Sequence, residues 1–233
     1  MNMSIKTSVE LVDHMGNDLP VVNAARVSFD KEAANYTDAQ NEKLLNYLAK
    51  HNHWSPFAHT SVQMRITAPL FVARQLGKHQ VGLVWNEVSR RYVHDSPTLH
   101  LPDVWRARAD NVKQGSSDTH SIQWLDRYTH INTAVYKVYE ASVALYQEML
   151  SVGVCPEQAR MVLPQSMMTT WMWSGSLLAF HRVWKQRTDP HTQAETQGIA
   201  YAIGDILSDL YPVSWKALST HSFMENENAQ LSQ

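Results

Sequence analysis

The sequence predicts an α+β fold, a helix-rich single domain with a small, mostly antiparallel sheet. Short alternating stretches that read as strands are scattered among longer stretches of helical periodicity, with no regular strand–helix–strand alternation. No Gly-rich dinucleotide fingerprint follows any of them, so a Rossmann sheet has no support. A chain of 233 residues is long enough to bury one core without disulfides. The domain is expected over residues 1–223, with a polar, disordered tail over 224–233.

The elements follow in order. Ser8 to His14 alternates Val9 and Leu11 with polar neighbours and reads as a strand ending at Gly16-Asn17-Asp18. Leu19 to Phe29 repeats Val22, Ala25 and Arg26 at helical spacing. Asp38 to His51 is a second helix with Leu44, Leu45, Tyr47 and Leu48 on its apolar stripe. Thr60 to Thr67 puts Val62, Met64 and Ile66 on one face, as a half-buried strand does. A helix from Leu70 to His79 would carry Arg74 with Lys78, and Gln75 with His79, on shared faces one turn apart.

Trp85 to Tyr92 reads as extended, with Glu87, Ser89 and Arg91 on one side and Asn86, Arg90 and Tyr92 on the other. Residues 106–121 are polar and aperiodic and are expected to form a mobile loop. The longest helix is expected from Ile122 to Leu150, with Ile131, Val135, Val138, Leu145 and Met149 recurring three or four apart, and Gly153 ends it. Pro156 opens a short helix carrying Arg160. Ser166 to Trp173 favours a strand by its aromatic and β-branched content. Two last helices, Leu177 to Arg187 and His191 to Leu210, are divided by Thr188-Asp189-Pro190; Asp189 is placed to cap the second, with His191 and Glu195 one turn apart on it.

Composition narrows the function. A net charge of −2 and a pI near 6.6 exclude a protein that coats long nucleic acid, which needs a basic surface to neutralise many phosphates. No run of about 18 uncharged apolar residues could span a bilayer. The N-terminus lacks the pattern of a secretion signal and Cys155 is the only cysteine, so a reducing cytoplasm is expected.

One segment concentrates donors. Arg74 to Tyr92, RQLGKHQVGLVWNEVSRRY, gathers four cations with side-chain amides, a histidine, a serine and a carboxylate. Convergent donors of this kind suit a phosphorylated, planar, hydrogen-bonding ligand such as a nucleotide. Arg90 and Arg91 beside Ser89 form a plausible phosphate clamp, because guanidinium forks grip phosphate oxygens in pairs. The competing account of each arginine is a surface salt bridge. His51, His53, His59 and His79 are spaced closely enough to bind zinc, but no cysteine lies near and carboxylates are few, so no metal site is expected. Ser89 near His79 and Glu87 has the parts of a triad, without the tight Gly-flanked turn of a hydrolase nucleophile.

These blocks resemble the flavin-dependent thymidylate synthases, whose signature is Arg-His-Arg, seven residues, then Ser, within a pattern ending Asn-Glu-x-Ser-x-Arg-Tyr. VELVDHMGNDLPVVNAARVSF, HNHWSPFAH, APLFVARQ, EQARMVLP and RTDPHTQAE are similar to further family blocks in family order. The resemblance spans the chain except 106–121 and the tail. It implies methylation of dUMP to dTMP with methylenetetrahydrofolate as carbon donor and FAD, reduced by NADPH, as hydride source, in a homotetramer whose sites are shared between subunits. The nucleotide residues implied are Gln75, Lys78, Glu87, Ser89, Arg90, Arg91, Arg160 and Arg187. The flavin residues implied are Ser28, His53, Ser55, Lys78, His79, Asn86, Glu87, Arg182 and His191. Ser89, Arg187 and His53 would carry the chemistry. Against the pattern, Lys78-His79-Gln80 replaces Arg-His-Arg, and eight residues separate Gln80 from Ser89, so the stretch from Val81 to Trp85 must bulge by one residue. The alternative is a nucleotide- and flavin-binding protein of the same fold without methyl transfer.

Overall fold

The computed structural model describes residues 2–4, 6–110 and 115–230. Its centre is a four-stranded antiparallel sheet of β2 (Ser8–Met15), β3 (Ser61–Pro69), β8 (Met168–Gly175) and β4 (Leu83–Glu87), in the order β2-β3-β8-β4. Alternation along β3 and β8 explains its placement. Val62, Met64, Ile66, Trp171 and Trp173 are buried on one face, while Gln63 and Ser174, and Thr67 and Thr170, join in side-chain hydrogen bonds on the other. Trp85 of β4 stacks on Trp171 with centroids 4.3 Å apart.

Helices cover the apolar face: α1 (Asp18–Arg26), α2 (Asp38–Lys50), α3 (Leu70–Leu76), α6 (Leu177–Arg187), α7 (Ala194–Leu210) and α8 (Pro212–Gln230). Their starts are specified locally. Thr37 and Gln40 form a reciprocal capping box on α2, and the Ser176 hydroxyl accepts from the Ala179 N–H to cap α6. The Asp18 carboxylate accepts from the backbone N–H groups of Val213 (2.9 Å) and Ser214 (2.7 Å), capping α8 from the far end of the chain. A second cluster, Leu99, Tyr139, Val143 and Met167, seats α4 (Ile131–Ser151). Among the described residues no helix is long and apolar enough to cross a membrane.

The architecture agrees with the predicted class, and several elements correct the sequence reading. The stretch 106–121 contains β6 (Arg106–Arg108) and β7 (Ser116–Ser121), paired antiparallel; residues 111–114 lie outside the described residues. Both strands are polar, so no alternation announces them. The expected disordered tail is helical backbone as far as Gln230, because Ala, Glu, Met and Gln are good helix formers whatever their polarity, and residues 231–233 lie outside the described residues. Helix α4 starts at Ile131 rather than Ile122, and its buried face is Ile131, Tyr139, Val143 and Tyr146, leaving Val138 and Leu145 exposed. On α2, Tyr47 is exposed as well.

Helix α3 ends at Leu76 on Gly77, so Lys78 and His79 sit in the following turn and not on a helical face. Gly82, at φ +74°, completes the Gln80–Leu83 turn. Helix α7 starts at Ala194, which leaves His191 outside it, and Asp189 caps the local turn instead. A parallel pair, β1 (Asn2–Ser4) with β5 (Thr98–His100), and the short α5 (Pro156–Ala159) complete the fold.

Loss of the Asp18 cap frees two N–H groups at the start of α8. Asp18→Ala is expected to lower stability by about 1–2 kcal/mol, the range for a lost helix cap. A shifted urea midpoint at unchanged slope is the confirming measurement, and an unchanged midpoint refutes the cap.

Candidate active site

An open cleft of about 1090 Å³ lies where the end of α3, the last turns of α6, the 188–193 connection and the β6–β7 hairpin meet. Gln75, Arg106, Arg182, Lys185, Arg187 and His191 are on its walls. Two turns of backbone position them. The last turn of α6 presents Arg187, and the Asp189 carboxylate accepts from the His191 N–H (2.8 Å) to shape the connection. Gln197 on α7 donates to the Asp189 carbonyl (2.7 Å) and ties that connection to the helix.

Arg187 is half-buried. Its Nε donates to His79 Nε2 at 2.9 Å and an Nη reaches the Gln75 carbonyl at 3.4 Å. An imidazole nitrogen that accepts from a guanidinium is unprotonated, so His79 carries its proton on Nδ1. Burial first, and then the Arg187 charge, push the His79 pKa below its usual value. Burial pulls the Arg187 pKa down too, without discharging it.

A second cleft of about 590 Å³ opens between the other end of β8, the end of β4 with the segment after it, and the turn that follows α5. Glu87 faces it, its carboxylate accepting from the Thr169 hydroxyl (2.8 Å) and from Trp85 Nε1 (3.3 Å). Arg90 donates to the Asp95 carbonyl (2.6 Å) and carboxylate (3.2 Å), and its side chain is only 11% exposed. Arg160 lines the same cleft. Arg91 lies beside it, held to Glu157 at 3.3 Å and to the Tyr92 hydroxyl at 2.7 Å. The predicted extended arm stops at Glu87: Ser89 to Tyr92 is a turn, with the Tyr92 N–H on the Ser89 carbonyl (2.9 Å) and the Arg91 N–H on Ser89 Oγ (3.3 Å). The strict side alternation expected for Ser89, Arg90 and Arg91 is therefore lost.

The predicted residues fall into separate groups on one chain. Gln75, Arg182, Arg187 and His191 line the first cleft, with His79 joined through Arg187; Glu87, Arg90 and Arg160 line the second. Ser28, His53, Ser55, Lys78 and Asn86 are exposed and line neither. His53 packs at the edge of Tyr47, 6.0 Å away, and beside the His51 ring, 6.4 Å away. Among the described residues no group of three or more His, Cys, Asp or Glu side chains is placed to hold a metal ion.

Arg106, Lys185, Gln193, Glu195 and Thr196 join the site without having been legible as site residues in the sequence. Gln193 and Glu195 stand inside the RTDPHTQAE block and Thr196 directly follows it, so their place in that block was the available signal. Arg106 pairs with Glu195 across 89 positions, which no local pattern encodes.

The His79–Arg187 bond makes a pH prediction. The folded pKa of His79 lies below the ordinary 6.5, so the neutral ring and its bond to Arg187 are intact above that pH and are lost as pH falls through the lowered value. Histidine NMR should place the His79 midpoint below 6.5 and move it upward in Arg187→Ala; identical midpoints would remove Arg187 from its neighbourhood.

Comparison with known proteins places the chain in a family. The family profile described as "Thymidylate synthase complementing protein" matches residues 10–213. A flavin-dependent thymidylate synthase of Thermus thermophilus is 34% identical over 216 residues, 93% of this chain and 77% of that protein. One of Thermotoga neapolitana is 33% identical over 218 residues, 94% of this chain and 93% of that protein. A crystal structure of a UMP/dUMP methylase from Streptomyces cacaoi, bound with 5-Br dUMP, aligns with TM-score 0.82 and 28% identity over 94% of this chain and 97% of that one. With a family match over most of its length, relatives above 30% identity and a shared fold, the chain belongs to the thymidylate synthase complementing protein family.

Proposed function

We propose that the protein is a flavin-dependent thymidylate synthase that methylates dUMP to dTMP, with methylenetetrahydrofolate as carbon donor and NADPH-reduced FAD as hydride source. The observation that supports this reading best is the Gln75–Arg187–His79 cluster at a cleft whose other walls carry Arg106, Arg182 and Lys185. The cleft has the size of a cofactor site, and its cationic walls suit a pyrophosphate. Arg182 has no hydrogen-bond partner among the described residues, so a guanidinium stands ready for an anionic group. The residues therefore fit FAD. When bound, the flavin supplies the hydride and relays the one-carbon unit.

Protein groups do the rest. Arg187, oriented by His79 and by the end of α3, is placed to polarise the uracil and stabilise charge as C5 becomes nucleophilic. Arg90, Arg91 and Arg160 form the phosphate clamp, with Ser89 and its turn completing the cradle. Ser89 Oγ accepts from the Arg91 N–H and, among the described residues, bonds no histidine, which favours phosphate contact over nucleophilic attack. Ser28, His53, Ser55, Lys78, His79, Asn86, Glu87 and His191 are assigned to the flavin with Arg182, and Lys78 and Glu87 are shared with the nucleotide. Cys155 is exposed at the start of α5, outside both clefts, and takes no part.

We infer a homotetramer as well. The nucleotide residues divide between two clefts of one chain, so a complete site requires the first cleft of one copy to face the second cleft of another. The exposed Tyr136, Val138 and Leu145 of α4 provide apolar surface for subunit contact.

The deciding experiment is dTMP formation from dUMP, tested for dependence on FAD, NADPH and methylenetetrahydrofolate. Binding of dUMP without turnover under complete conditions would instead favour a binding protein that has lost methyl transfer, as the loss of guanidinium forks at Lys78 and Gln80 would allow. Arg91→Ala is expected to weaken dUMP binding by about 1.5–3 kcal/mol, the range for a charge-assisted hydrogen bond, since Arg91 is about half exposed. An unchanged dissociation constant removes Arg91 from the clamp. Cys155→Ala is expected to turn over normally, and an inactive but folded variant would overturn the flavin route.

A further inference from the structure

Glu87 stands in a cleft that also holds Arg90 and Arg160, and among the described residues neither arginine is its partner. Arg90 is held by the Asp95 carbonyl and carboxylate, and Arg91 by Glu157 and the Tyr92 hydroxyl. Arg160 has one hydrogen bond among the described residues, from Nε to the Glu157 carbonyl at 3.3 Å. Both Glu87 oxygens are taken by uncharged donors instead. Oε1 accepts from the Thr169 hydroxyl at 2.8 Å and Oε2 from Trp85 Nε1 at 3.3 Å. A carboxylate free to choose gains more from a guanidinium fork than from a hydroxyl or an indole, because a hydrogen bond between two charged groups is the stronger.

The sheet fixes these donors. Trp85 and Glu87 alternate onto one face of β4, and Thr169 and Trp171 onto the same face of β8, with Glu87 opposite Trp171. β4 is an edge strand, so β8 is its only neighbour in the sheet. The Trp85 ring stacks on Trp171 at 4.3 Å and 18°, and meets Trp173 edge-on at 5.4 Å. Both of those partners are fully buried, so the Trp85 ring lies against a rigid surface. Its Nε1 can only donate and a carboxylate can only accept, which leaves no ambiguity of direction. Thr169 is buried too, and its hydroxyl meets the other oxygen.

We propose that Thr169 and Trp85 are positioning residues that hold the Glu87 carboxylate off Arg160, and so keep that guanidinium for the phosphate of the nucleotide. The inference rests on the reading above that Arg90, Arg91 and Arg160 form the phosphate clamp. Arg90 and Arg91 already have carboxylate partners, whereas Arg160 has a backbone carbonyl, so Arg160 is the fork that a released Glu87 would quench. Held in place, the carboxylate keeps its remaining lone pairs for a hydroxyl or ring N–H of the ligand. The two neutral donors thereby sort the charges of one cleft: a cation for the anionic end of the ligand, and an acceptor for its donor groups.

The test measures dissociation constants of dUMP and of deoxyuridine, which lacks the phosphate, for the purified, FAD-loaded protein, with kcat and KM for dUMP alongside. Thr169→Val keeps the shape and loses the hydroxyl. It is expected to lower the dUMP-over-deoxyuridine preference about tenfold, the scale of one hydrogen bond to a charged group, with KM changing more than kcat. Thr169→Ser keeps the hydroxyl and should keep the parent preference. Trp85→Phe keeps a ring for the stack without the N–H and should move the preference in the same direction as Thr169→Val. Glu87→Gln separates positioning from packing. It should raise the preference far more in the Thr169→Val background than in the parent, because only there does a carboxylate sit on Arg160. An equal gain in both backgrounds, or an unchanged preference in Thr169→Val, overturns the proposal. Should Thr169→Val fail to fold, Trp85→Phe with and without Glu87→Gln decides on the same terms. If the parent protein binds dUMP no better than deoxyuridine, the arginines are no phosphate clamp and the underlying reading falls; a clear parent preference that the variants leave unmoved sinks only the positioning role.

Discussion

The register of β3 against β8 is the constraint on which the rest of the molecule depends. The two strands pair continuously from Val62 opposite Gly175 to Pro69 opposite Met168. A slip of one residue would turn Met64, Ile66, Trp171 and Trp173 out of the core, so burial of that face fixes the register. Both clefts inherit their geometry from it. The end of β3 passes directly into α3 and Gln75, and the end of β8 passes through Ser176 into α6 and Arg187. At its other end β8 supplies Thr169 to Glu87, while β4, paired on the same strand, delivers Glu87 itself. Gly175 allows this close approach, since a Cβ there would lie 2.7 Å from the Gly82 carbonyl oxygen.

What the sequence discloses follows from the range of the interactions involved. The apolar alternation of β3 and the bounds of α6 are local and can be read directly. The expected start of α4 fails for a physical reason. Ile122, Trp124 and Leu125 continue an apolar pattern, but that stretch is irregular and mostly exposed, and the helix starts at Ile131 after the Trp124–His130 bridge. The β6–β7 hairpin is held by backbone pairing and by the Arg106–Ser116 and Arg106–Glu195 contacts, none of which has a period. The site divides in the same way. Gln75, Glu87, Arg91 and Arg187 are legible because they stand in recognisable blocks, whereas Gln193, Thr196 and the Arg106–Glu195 pair become visible only when three distant segments converge.

The two clefts also differ in how their charges are balanced. Around Glu87, the arginines have nearby acidic or carbonyl partners: Arg90 on Asp95, Arg91 on Glu157, and Arg160 on the Glu157 carbonyl. These contacts hold the forks in place, and because Asp95 and Glu157 are well exposed to solvent, the pairs cost little to break. At the first cleft the partner of Arg187 is a neutral imidazole, so its full charge faces the cavity. One cleft therefore carries arginines paired to solvated anions, the other an arginine paired to a neutral ring.

The Asp18 clasp on α8 bears on how the chain comes to be folded on the ribosome. Asp18 and Ser214 are 196 positions apart, and the helix they join packs along α2, itself made early in the sequence. At about 5–20 residues per second, the N-terminal helices wait roughly 10–40 s for the partner that buries them. During that interval the faces of α1 and α2 that pack on α8, and the edge of β3 that pairs with β8, lack their native partners. Closure of the Asp18 clasp, and with it the burial of the α2 face that α8 covers, therefore comes only after the last helix has been made.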